Sequence, residues 1–430
     1  MNIDWLQETI KRIVKQKKTQ EASILLQVEN ENLSRFAENR ITQNTTRHRI
    51  NLNVKVCHER RSSQAETSDV SSRGVLSALR KAEAAATASP KDPEFIALPG
   101  KQHYLKVERF FPQTAELPVD AKARVIREIT AEAASRKMKA AGIYRSGDYA
   151  LLVANTKGLV AEHRWTQAEF SITARTENSA GSAVAEEENV AKINPQALAI
   201  EAFRTAEMGK NPKQIKSGRY KTLFTARAFG EMMPFVIYQM NRRAADEGRS
   251  FFAAKLDKKI LSKKISVVAD PQTPTNPGNP IDFYNDGVAS KEVAFIQEGV
   301  LTNLWTTRYW AKKQRIPLVS PSFNFSMVGG TKTLDQMIKR IDRGLLVMHL
   351  WYIRYVNPME LILTGTSRDG LFLVENGKIK RAVKNMRFND SPMRFLRNPA
   401  GLGIPERRGG AMMLPSVLVS DFNWASGTTF

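Results

Sequence analysis

Histidine and cysteine, the side chains that most often bind zinc or act as nucleophiles in hydrolases, are scarce in this sequence. The 430 residues include one cysteine and five histidines: His48, His58, His103, His163 and His349. No two histidines have the spacing of an HExxH or HExxxH motif, which places two zinc ligands and a general base on one helix. His58-Glu59 begins such a motif, but no second histidine follows. The histidines therefore predict no zinc-hydrolase motif in this chain.

The remaining histidine and cysteine positions predict structure rather than catalysis. Cys57 and His58 are neighbours in a predicted strand, where consecutive side chains point to opposite faces and cannot form a nucleophile–base pair. His349 lies in the apolar segment 345–351, where we expect a buried imidazole with a hydrogen-bond partner. A single cysteine also excludes an internal disulfide and a multi-cysteine metal site, and it favours a reducing cytoplasm.

Two other groups have side chains that bind ligands in many proteins. Asn285 and Asp286 precede Gly287, and we interpret them as turn residues, because Asn and Asp before glycine ordinarily form turns. An aromatic and basic cluster follows at Trp305, Arg308, Tyr309 and Trp310. Such a cluster could stack on nucleic-acid bases. It could equally anchor a subunit interface, where Trp, Tyr and Arg are enriched.

The composition is that of a folded protein long enough for two domains. Hydrophobic residues make up 42% and charged residues 25% of the chain. The formal net charge of +22 fits either an acidic partner such as nucleic acid or a solvated cationic surface. We favour the solvated surface, because no nucleic-acid-binding motif occurs and the basic runs lie far apart, at residues 11–18, 255–264 and 378–387.

No segment predicts a signal peptide or a membrane span. Residues 1–20 have the periodicity of an amphipathic helix, and the basic residues from Lys11 to Lys18 interrupt any apolar run. The most apolar stretch, residues 344–353, is much shorter than the roughly 18 residues that a spanning helix requires. We therefore expect a cytoplasmic protein without a membrane partner.

Hydrophobic periodicity and turn signals predict an α+β protein with two domains. In the first half we expect helices at residues 1–20, 71–86, 119–141 and 195–208, and strands at residues 22–28, 35–41, 48–56, 148–154, 159–166 and 169–175. In the second half we expect a helix at residues 226–245, strands at residues 220–225 and 265–269, and hairpins that turn at Glu298-Gly299 and Asn376-Gly377. These elements predict an N-terminal sheet-and-helix domain, residues 1–212, and a mostly antiparallel β domain with a few helices, residues 213–430.

Five short motifs occur in order along most of the chain. They are Asn155-Thr156-Lys157-Gly158-Leu159, Ser217-Gly218-Arg219-Tyr220, Phe283-Tyr284-Asn285-Asp286-Gly287-Val288, Glu298-Gly299-Val300-Leu301, and residues 361–377 with Thr364-Gly365-Thr366-Ser367 and Glu375-Asn376-Gly377. In this order and spacing they resemble the TldD/TldE (PmbA) metallopeptidase family. The resemblance implies a two-domain α+β subunit that pairs with a homologous subunit around a chamber in which a peptide is held and cut.

The zinc motif that the resemblance leads us to expect is missing. Catalytic members carry His-Glu-x-x-x-His at the start of the C-terminal domain and a distant cysteine as a further ligand. Here the histidine positions fall on Met233 and Tyr238 and the glutamate position on Pro234. No histidine occurs between Arg227 and Gly248, and a methionine thioether is a poor ligand for zinc. We interpret Met233 as part of an apolar helix stripe, with Pro234 in the first helical turn.

The resemblance therefore predicts a TldE-like, catalytically silent subunit. We expect no zinc in this chain, zinc in a TldD-like homologous partner, and a peptide as the substrate of the complex. The resemblance also favours a peptide or interface contact for the cluster of Trp305, Arg308, Tyr309 and Trp310, and the apolar segment 345–351 is a second interface candidate. Two alternatives are a peptidase with an unrecognised site and a nucleic-acid or gyrase-associated binding protein.

Overall fold

The computed structural model describes residues 3–15, 21–408 and 410–428. The N-terminal half contains helices α1–α5 and strands β1–β6, which occur in the order α1 Ile3–Lys15, β1 Glu21–Ala37, β2 Arg40–His58, β3 Arg61–Thr67, α2 Ser72–Ala88, α3 Pro112–Ala115, α4 Val119–Ser135, β4 Lys139–Asn155, β5 Val160–Arg175, β6 Ala180–Glu187 and α5 Pro195–Met208. A 3₁₀ turn, Val190–Lys192, precedes α5. The predicted helix at residues 1–20 agrees with α1 where it is described; residues 16–20 lie outside the described residues.

The strands of this half form one antiparallel sheet with the order β3-β2-β1-β4-β5-β6. Apolar residues at alternate positions, such as Ile24 and Leu26 of β1, point to one face, where α1 and α2 cover one end and α4 and α5 the other. The opposite face contacts the C-terminal half, because Leu151 and Val153 of β4 pack against Ile281. The sheet thus lies between its own helices and the second half of the chain.

The strands differ from the prediction at two tight turns. Residues 35–41 were expected to form one strand, but they contain the end of β1, a turn at Glu38-Asn39 and the start of β2. A second turn, at Glu59-Arg60, leads into β3, which the sequence analysis did not predict. All four turn residues have positive φ, between 47° and 65°, as two-residue hairpin turns often require. Because neither turn contains glycine, the usual sequence signal for a hairpin is absent.

The helix predicted at residues 119–141 is shorter in the structure. It ends at Ser135, Lys137 has a φ of +56°, and β4 begins at Lys139. Met138 and Ala140 are buried, and the side chain of Asn39 accepts a hydrogen bond from the N–H of Ala140. Tertiary pairing with β1 and β5 therefore overrides the helical tendency of this alanine- and lysine-rich segment.

The C-terminal half contains strands β7–β19 and helices α6–α11. They occur in the order β7 Gly218–Phe224, α6 Ala226–Gly230, α7 Met233–Gln239, α8 Arg242–Asp246, β8 Val267–Ala269, β9 Ile281–Asp282, β10 Val288–Ala289, β11 Val293–Gln297, β12 Val300–Leu301, α9 Arg308–Gln314, β13 Phe325–Met327, α10 Leu334–Ile338, β14 Arg343–Asn357, β15 Ile362–Glu375, β16 Lys378–Ala382, β17 Met386–Asp390, α11 Pro392–Phe395, β18 Gly401–Arg407 and β19 Met413–Gly427. The predicted hairpins at Glu298-Gly299 and Asn376-Gly377 are both present.

Five of these strands close into a ring in the order β7-β14-β15-β17-β19, with β19 paired back to β7. The β7–β14 pair is parallel and the other pairs are antiparallel. Large apolar side chains, including Phe224, Phe388, Phe422 and Trp424, are fully buried in the core of this half. The outer side of β7, β14 and β15 packs beneath α10. The observed architecture confirms the predicted α+β fold.

The single helix predicted at residues 226–245 is three short helices, α6, α7 and α8. Pro234 lies in the first turn of α7, because proline has no N–H and would clash with a carbonyl one turn earlier in a continuous helix. Asn241 then caps α8 by accepting a hydrogen bond from the N–H of Ala244. The break between α6 and α7 matters for the site, since it turns Glu231 towards β14.

The connection between the halves runs from α5, which ends at Met208, to β7, which begins at Gly218. The boundary that we predict after residue 212 lies in this connection. Several long-range ion pairs tie the halves together, among them Lys55 to Asp286 and Arg407 to Glu188. Among the described residues, no helix is both long and apolar enough to cross a bilayer.

Candidate functional site

A cluster of ionisable and polar side chains lies where the N-terminal sheet meets the strand ring. Arg227 and Glu231 come from α6 and the residue after it, His349 from β14, Asp369 from β15, and Ser182 from β6. Thr225 caps α6: its hydroxyl accepts a hydrogen bond from the N–H of Ala228. This cap fixes the start of α6 beside β14. The cluster therefore depends on elements from both halves of the chain.

His349 is the centre of the cluster. Its Nδ1 lies 3.4 Å from Oδ2 of Asp369, and its Nε2 lies 3.6 Å from Oε1 of Glu231. The His349 side chain is 9% exposed and the Asp369 side chain 10%, whereas Glu231 is 43% exposed. The imidazole thus links a buried carboxylate to one that solvent reaches. Our expectation of a buried imidazole with polar neighbours is met.

Backbone geometry turns Asp369 towards the histidine. Asp369 has a φ of +50° and the following Gly370 a φ of +127°, at an irregularity in the pairing of β14 with β15. The hydroxyl of Ser182 donates to Oδ2 of Asp369 at 2.9 Å. Burial opposes ionisation of Asp369, but hydrogen bonds from His349 and Ser182 and the charge of Arg368 outweigh it and hold its pKa below the ordinary value. Asp369 is therefore an anion at neutral pH.

Arg227 fixes the other side of the cluster. Its Nη1 donates to the carbonyl oxygen of Ser182 at 2.9 Å and to the hydroxyl of Ser182 at 3.0 Å. Burial lowers the pKa of Arg227, while the carboxylates of Glu231 and Asp369 act in the opposite direction. Because a guanidinium keeps its proton in proteins, Arg227 is a fixed positive charge near both carboxylates. The site is thus held together by charge as well as by packing.

The cluster does not have the geometry of a metal site. Glu231 and Asp369 contact opposite nitrogens of the same imidazole, so the three side chains do not converge on one point. No group of three His, Cys, Asp or Glu side chains suited to a metal ion occurs in the part of the chain that the structure describes. The donor atoms do not fit a zinc ion, which requires ligands that converge tetrahedrally on one point. The arrangement can orient an imidazole and hydrogen-bond to a bound molecule.

The structure separates the positions that correspond to the family's zinc motif. Met233 is 3% exposed and packs in the core of the C-terminal half. Tyr238 is 72% exposed, and Pro234 is also exposed. The side chains of Met233 and Tyr238 thus lie on different sides of α7. Pro234 and Glu231 line the same small cavity of about 260 Å³ beside Arg227.

The two tryptophans of the aromatic and basic cluster contact the chain's own elements. Trp310 is 4% exposed, and its Nε1 donates to Oδ2 of Asp246 at 2.8 Å. Trp305 is partly buried, and its Nε1 donates to the carbonyl oxygen of Ile237 at 3.3 Å. These contacts hold α9 and the preceding loop against α7 and α8. They leave the ring of Trp310 almost no surface for a partner.

Arg308 joins the two halves of the chain. Its Nη1 contacts Oδ2 of Asp286 at 2.6 Å, and its Nη2 donates to the carbonyl oxygen of Ala97. Lys55 of β2 contacts the other oxygen of Asp286 at 2.7 Å. Asp286 itself has a φ of +59° and forms the predicted turn before Gly287. Tyr309 stays partly exposed beside these contacts.

The segment 345–351 was an interface candidate, and for most of its length that interpretation is wrong. Leu345, Leu346, Val347 and Leu350 are at most 1% exposed, because the strand ring and α10 bury them. Only Trp351, at 51%, is largely exposed. Successive side chains of β14 point to opposite faces of the sheet, and both faces are covered along the first half of the strand. Trp351 lies beyond this covered part.

Arg227, Asp369 and Ser182 were not predicted as site residues. The sequence Asp369-Gly370 is typical of a turn, and an isolated glutamate such as Glu231 is typical of a helix cap or a surface carboxylate. The residues come from positions as distant as 182 and 369, so no local spacing reveals their contact. Of these residues, Asp369 alone lies in a motif that resembles the family, at residues 361–377, and could have been selected on that ground.

Sequence comparisons place most of the chain in one family. The PmbA/TldA metallopeptidase C-terminal domain matches residues 217–426, and the PmbA/TldA metallopeptidase central domain matches residues 112–209. A protein named metalloprotease from Methanothermobacter thermautotrophicus is 26% identical over 182 residues. That match spans 38% of this chain and 38% of the relative, which is less than two thirds of the relative's length.

Solved structures share the fold over the whole chain. TldE from Thermococcus kodakarensis matches with a TM-score of 0.87 and 16% identity, over 97% of this chain and 99% of that one. A candidate modulator of a DNA gyrase from Thermotoga maritima matches with a TM-score of 0.87 and 19% identity, over 99% of this chain and 100% of that one. The shared fold agrees with the two domain matches, which together cover more than half of the sequence. The chain belongs to the PmbA/TldD metallopeptidase family.

Proposed function

We propose that this chain is a non-catalytic, TldE-like subunit of a TldD/TldE-type zinc metallopeptidase that works in the cytoplasm. The observation that carries the proposal is the composition of α7. At the positions of the family's zinc motif, α7 has Met233, Pro234 and Tyr238, and the Met233 side chain lies in the core. A zinc-bearing, TldD-like homologue would then supply the metal and the general base. The complex would process or degrade peptides.

The cluster around His349 gives this subunit a role in holding the peptide. Glu231, which lies between α6 and α7, and Tyr238, near the end of α7, are exposed, and they offer a carboxylate and a hydroxyl to a peptide main chain. Arg227 and His349 lie directly behind Glu231 and fix its position. These groups bind and orient, and the bond-breaking step belongs to the partner. The subunit would also close one wall of the chamber.

The test compares three preparations: this chain alone, the zinc-bearing homologue from the same organism alone, and the two co-expressed. Cleavage of an unstructured peptide mixture is measured by mass spectrometry, and zinc by elemental analysis. We expect cleavage only from the co-expressed pair, with the zinc bound to the homologue. As a control, replacing the glutamate of the homologue's HExxxH motif by glutamine abolishes cleavage without separating the subunits.

One result would establish a different function. If the chain alone cleaves peptides and carries one tightly bound zinc per molecule, it is a stand-alone peptidase with an unrecognised site. A homologue that cleaves equally well without this chain also contradicts the proposal. In both cases the role of a required silent subunit is excluded.

A further inference from the structure

An exposed face on the outside of the strand ring combines arginine and aromatic side chains. We name it the arginine–aromatic face and define it by Trp351, Tyr352, Arg354, Arg368 and Arg387. In the pairing of β14, β15 and β17, Trp351 lies opposite Thr366, and Thr366 lies opposite Arg387. Arg368 is opposite His349 in the neighbouring row. Cross-strand partners share one side of a sheet, so this face continues directly from the His349 cluster.

A bulge in β14 presents both aromatic rings to solvent. The register shifts between Trp351 and Arg354, and Tyr352 in the bulge has a φ of +56°. Left-handed backbone is unusual for a bulky residue, and such strain often marks a functional position. Trp351 is 51% exposed and Tyr352 is 62% exposed. A regular strand would turn one of these two neighbours inwards, whereas the bulge exposes both.

The charge of this face is positive and largely uncompensated. The guanidinium of Arg368 lies 4.5 Å from the centre of the Trp351 ring, and that of Arg354 lies 4.6 Å from the Tyr352 ring. Arg368 approaches Asp369 at 3.8 Å, and that carboxylate already contacts His349. Across the described residues, neither Arg354 nor Arg387 forms an ion pair with a carboxylate. The face therefore attracts a surface that supplies carboxylates.

We propose that the arginine–aromatic face binds an acidic and apolar surface of the zinc-bearing homologous subunit. This inference rests on the proposed function, because it names the surface through which the silent subunit meets its partner. Exposed Trp, Tyr and Arg are the residue types that dominate the binding energy of protein interfaces. The partner surface supplies carboxylates to Arg354, Arg368 and Arg387 and apolar contacts to the two rings. The contact brings the partner beside His349 and Glu231.

Charge disfavours a second copy of this chain as the occupant of this face. A twofold-symmetric dimer through one patch places that patch against its own copy. The arginine–aromatic face would then meet an equally positive face, between chains that each carry a formal net charge of +22. Like charges repel each other across an interface. The face therefore suits a partner of complementary charge better than a second copy.

The experiment measures the affinity of the full-length chain for the purified homologue by isothermal titration calorimetry. In the main variant, Arg354→Glu, Arg368→Glu and Arg387→Glu are combined. The matched control combines Lys258→Glu, Lys263→Glu and Lys264→Glu, which are exposed elsewhere and change the net charge equally. We expect the dissociation constant to rise about 100-fold or more in the main variant and to change about twofold or less in the control.

A second variant separates binding from folding. Tyr352→Gly removes one ring at a backbone position that glycine adopts without strain, so the fold is retained while binding weakens. Its thermal unfolding is compared with that of the wild-type chain. If Tyr352→Gly and the triple arginine variant both bind as tightly as the wild type while cleavage still requires this chain, the interface lies elsewhere and this inference fails. The proposed function survives that result.

Two other results also overturn the inference. The first is self-association of the chain at micromolar concentration that is lost in the arginine variant, which would identify a second copy as the occupant. The second is tight binding of a single-stranded oligothymidylate that is lost in the same variant, which would identify a nucleic-acid platform. If the wild-type chain does not bind the homologue and is not needed for cleavage, the proposed function itself fails.

Discussion

Arg407 and Glu188 join the two halves of the chain through a buried pair of hydrogen bonds. Nη1 of Arg407 donates to Oε2 of Glu188 at 2.6 Å, and Nη2 donates to Oε1 at 3.1 Å. Both side chains are nearly inaccessible, at 7% and 6% exposed. Arg109 contacts the same carboxylate at 2.9 Å. A carboxylate from the N-terminal half thus holds an arginine from β18 in place.

Replacement of this carboxylate should destabilise the protein in a pH-dependent manner. Burial opposes ionisation of Glu188, but Arg407 and Arg109 hold its pKa below the ordinary value. The stabilisation is therefore present above the unfolded pKa and is lost as the pH falls through the lower folded pKa. We expect Glu188→Gln to cost about 3–5 kcal/mol in the free energy of unfolding at pH 7.

Urea denaturation at pH 7 and near pH 3 checks this prediction. The difference in unfolding free energy between the wild type and Glu188→Gln should be smaller at the lower pH. Glu132→Gln, in the exposed pair with Arg136, serves as the control and should have little effect at either pH. An equal loss of stability at both pH values would contradict the role that we assign to the charge.

Lys122 is a fully buried lysine whose ammonium group makes folding sensitive to alkaline pH. Its Nζ donates to the carbonyl oxygen of Asn32 at 3.0 Å and to the hydroxyl of Ser146 at 3.1 Å. Burial lowers the pKa of Lys122 to about 8. Between about pH 8 and the ordinary pKa of lysine, the unfolded chain therefore binds more protons than the folded chain. The free energy of unfolding should rise with pH in this window.

The expected gain is about 2 kcal/mol between pH 7 and pH 9.5. Lys122→Met removes this titration, so the difference in unfolding free energy between wild type and variant should depend on pH in the same window. Denaturant titrations of both proteins at several pH values measure it. A difference that stays constant from pH 7 to pH 9.5 would show that the ammonium group is not the cause.

Trp310 should contribute to stability rather than to partner binding. Trp310→Ala leaves a cavity beside α8 and removes the tryptophan hydrogen bond to Oδ2 of Asp246. We therefore expect a loss of about 3–5 kcal/mol in unfolding free energy. Trp310→Phe keeps most of the volume and should lose about 1 kcal/mol, the value of the hydrogen bond. Denaturation and partner titration are compared on the same samples. A folded Trp310→Ala protein with weakened binding alone would reverse this assignment.

Restoring the zinc motif in α7 should not create a zinc site. In a variant with Met233→His, Pro234→Glu and Tyr238→His, the first side chain remains in the core and the last remains in solvent. Two ligands that point to different sides of a helix cannot share one ion. Elemental analysis should find less than stoichiometric zinc, and circular dichroism checks the fold. One tightly bound zinc per chain would show that α7 can rearrange.

Local sequence determined the elements that have strong hydrophobic periodicity or clear capping and turn residues. The helix predicted at residues 195–208 coincides with Pro195–Met208, where Asn194 caps the helix and Pro195 fits its first turn. The hairpin at Asn376-Gly377 was predicted because both residues readily adopt positive φ. The missing zinc motif was also visible, since it is a matter of residue identity. Turns made of Glu38 or Arg60 were missed, because their positive φ follows from strand pairing.

Only the tertiary structure decided which residues form the site and which surface stays free. Asp369 reaches His349 because β14 and β15 pair with an irregularity, and Ser182 reaches Asp369 because the N-terminal sheet packs on the ring. Trp310 and Trp351 are the same residue type, and each has a tyrosine as its neighbour in the sequence, yet Trp310 is buried and Trp351 is exposed. Burial depends on contacts between distant segments, whereas periodicity reports only on neighbours along the chain.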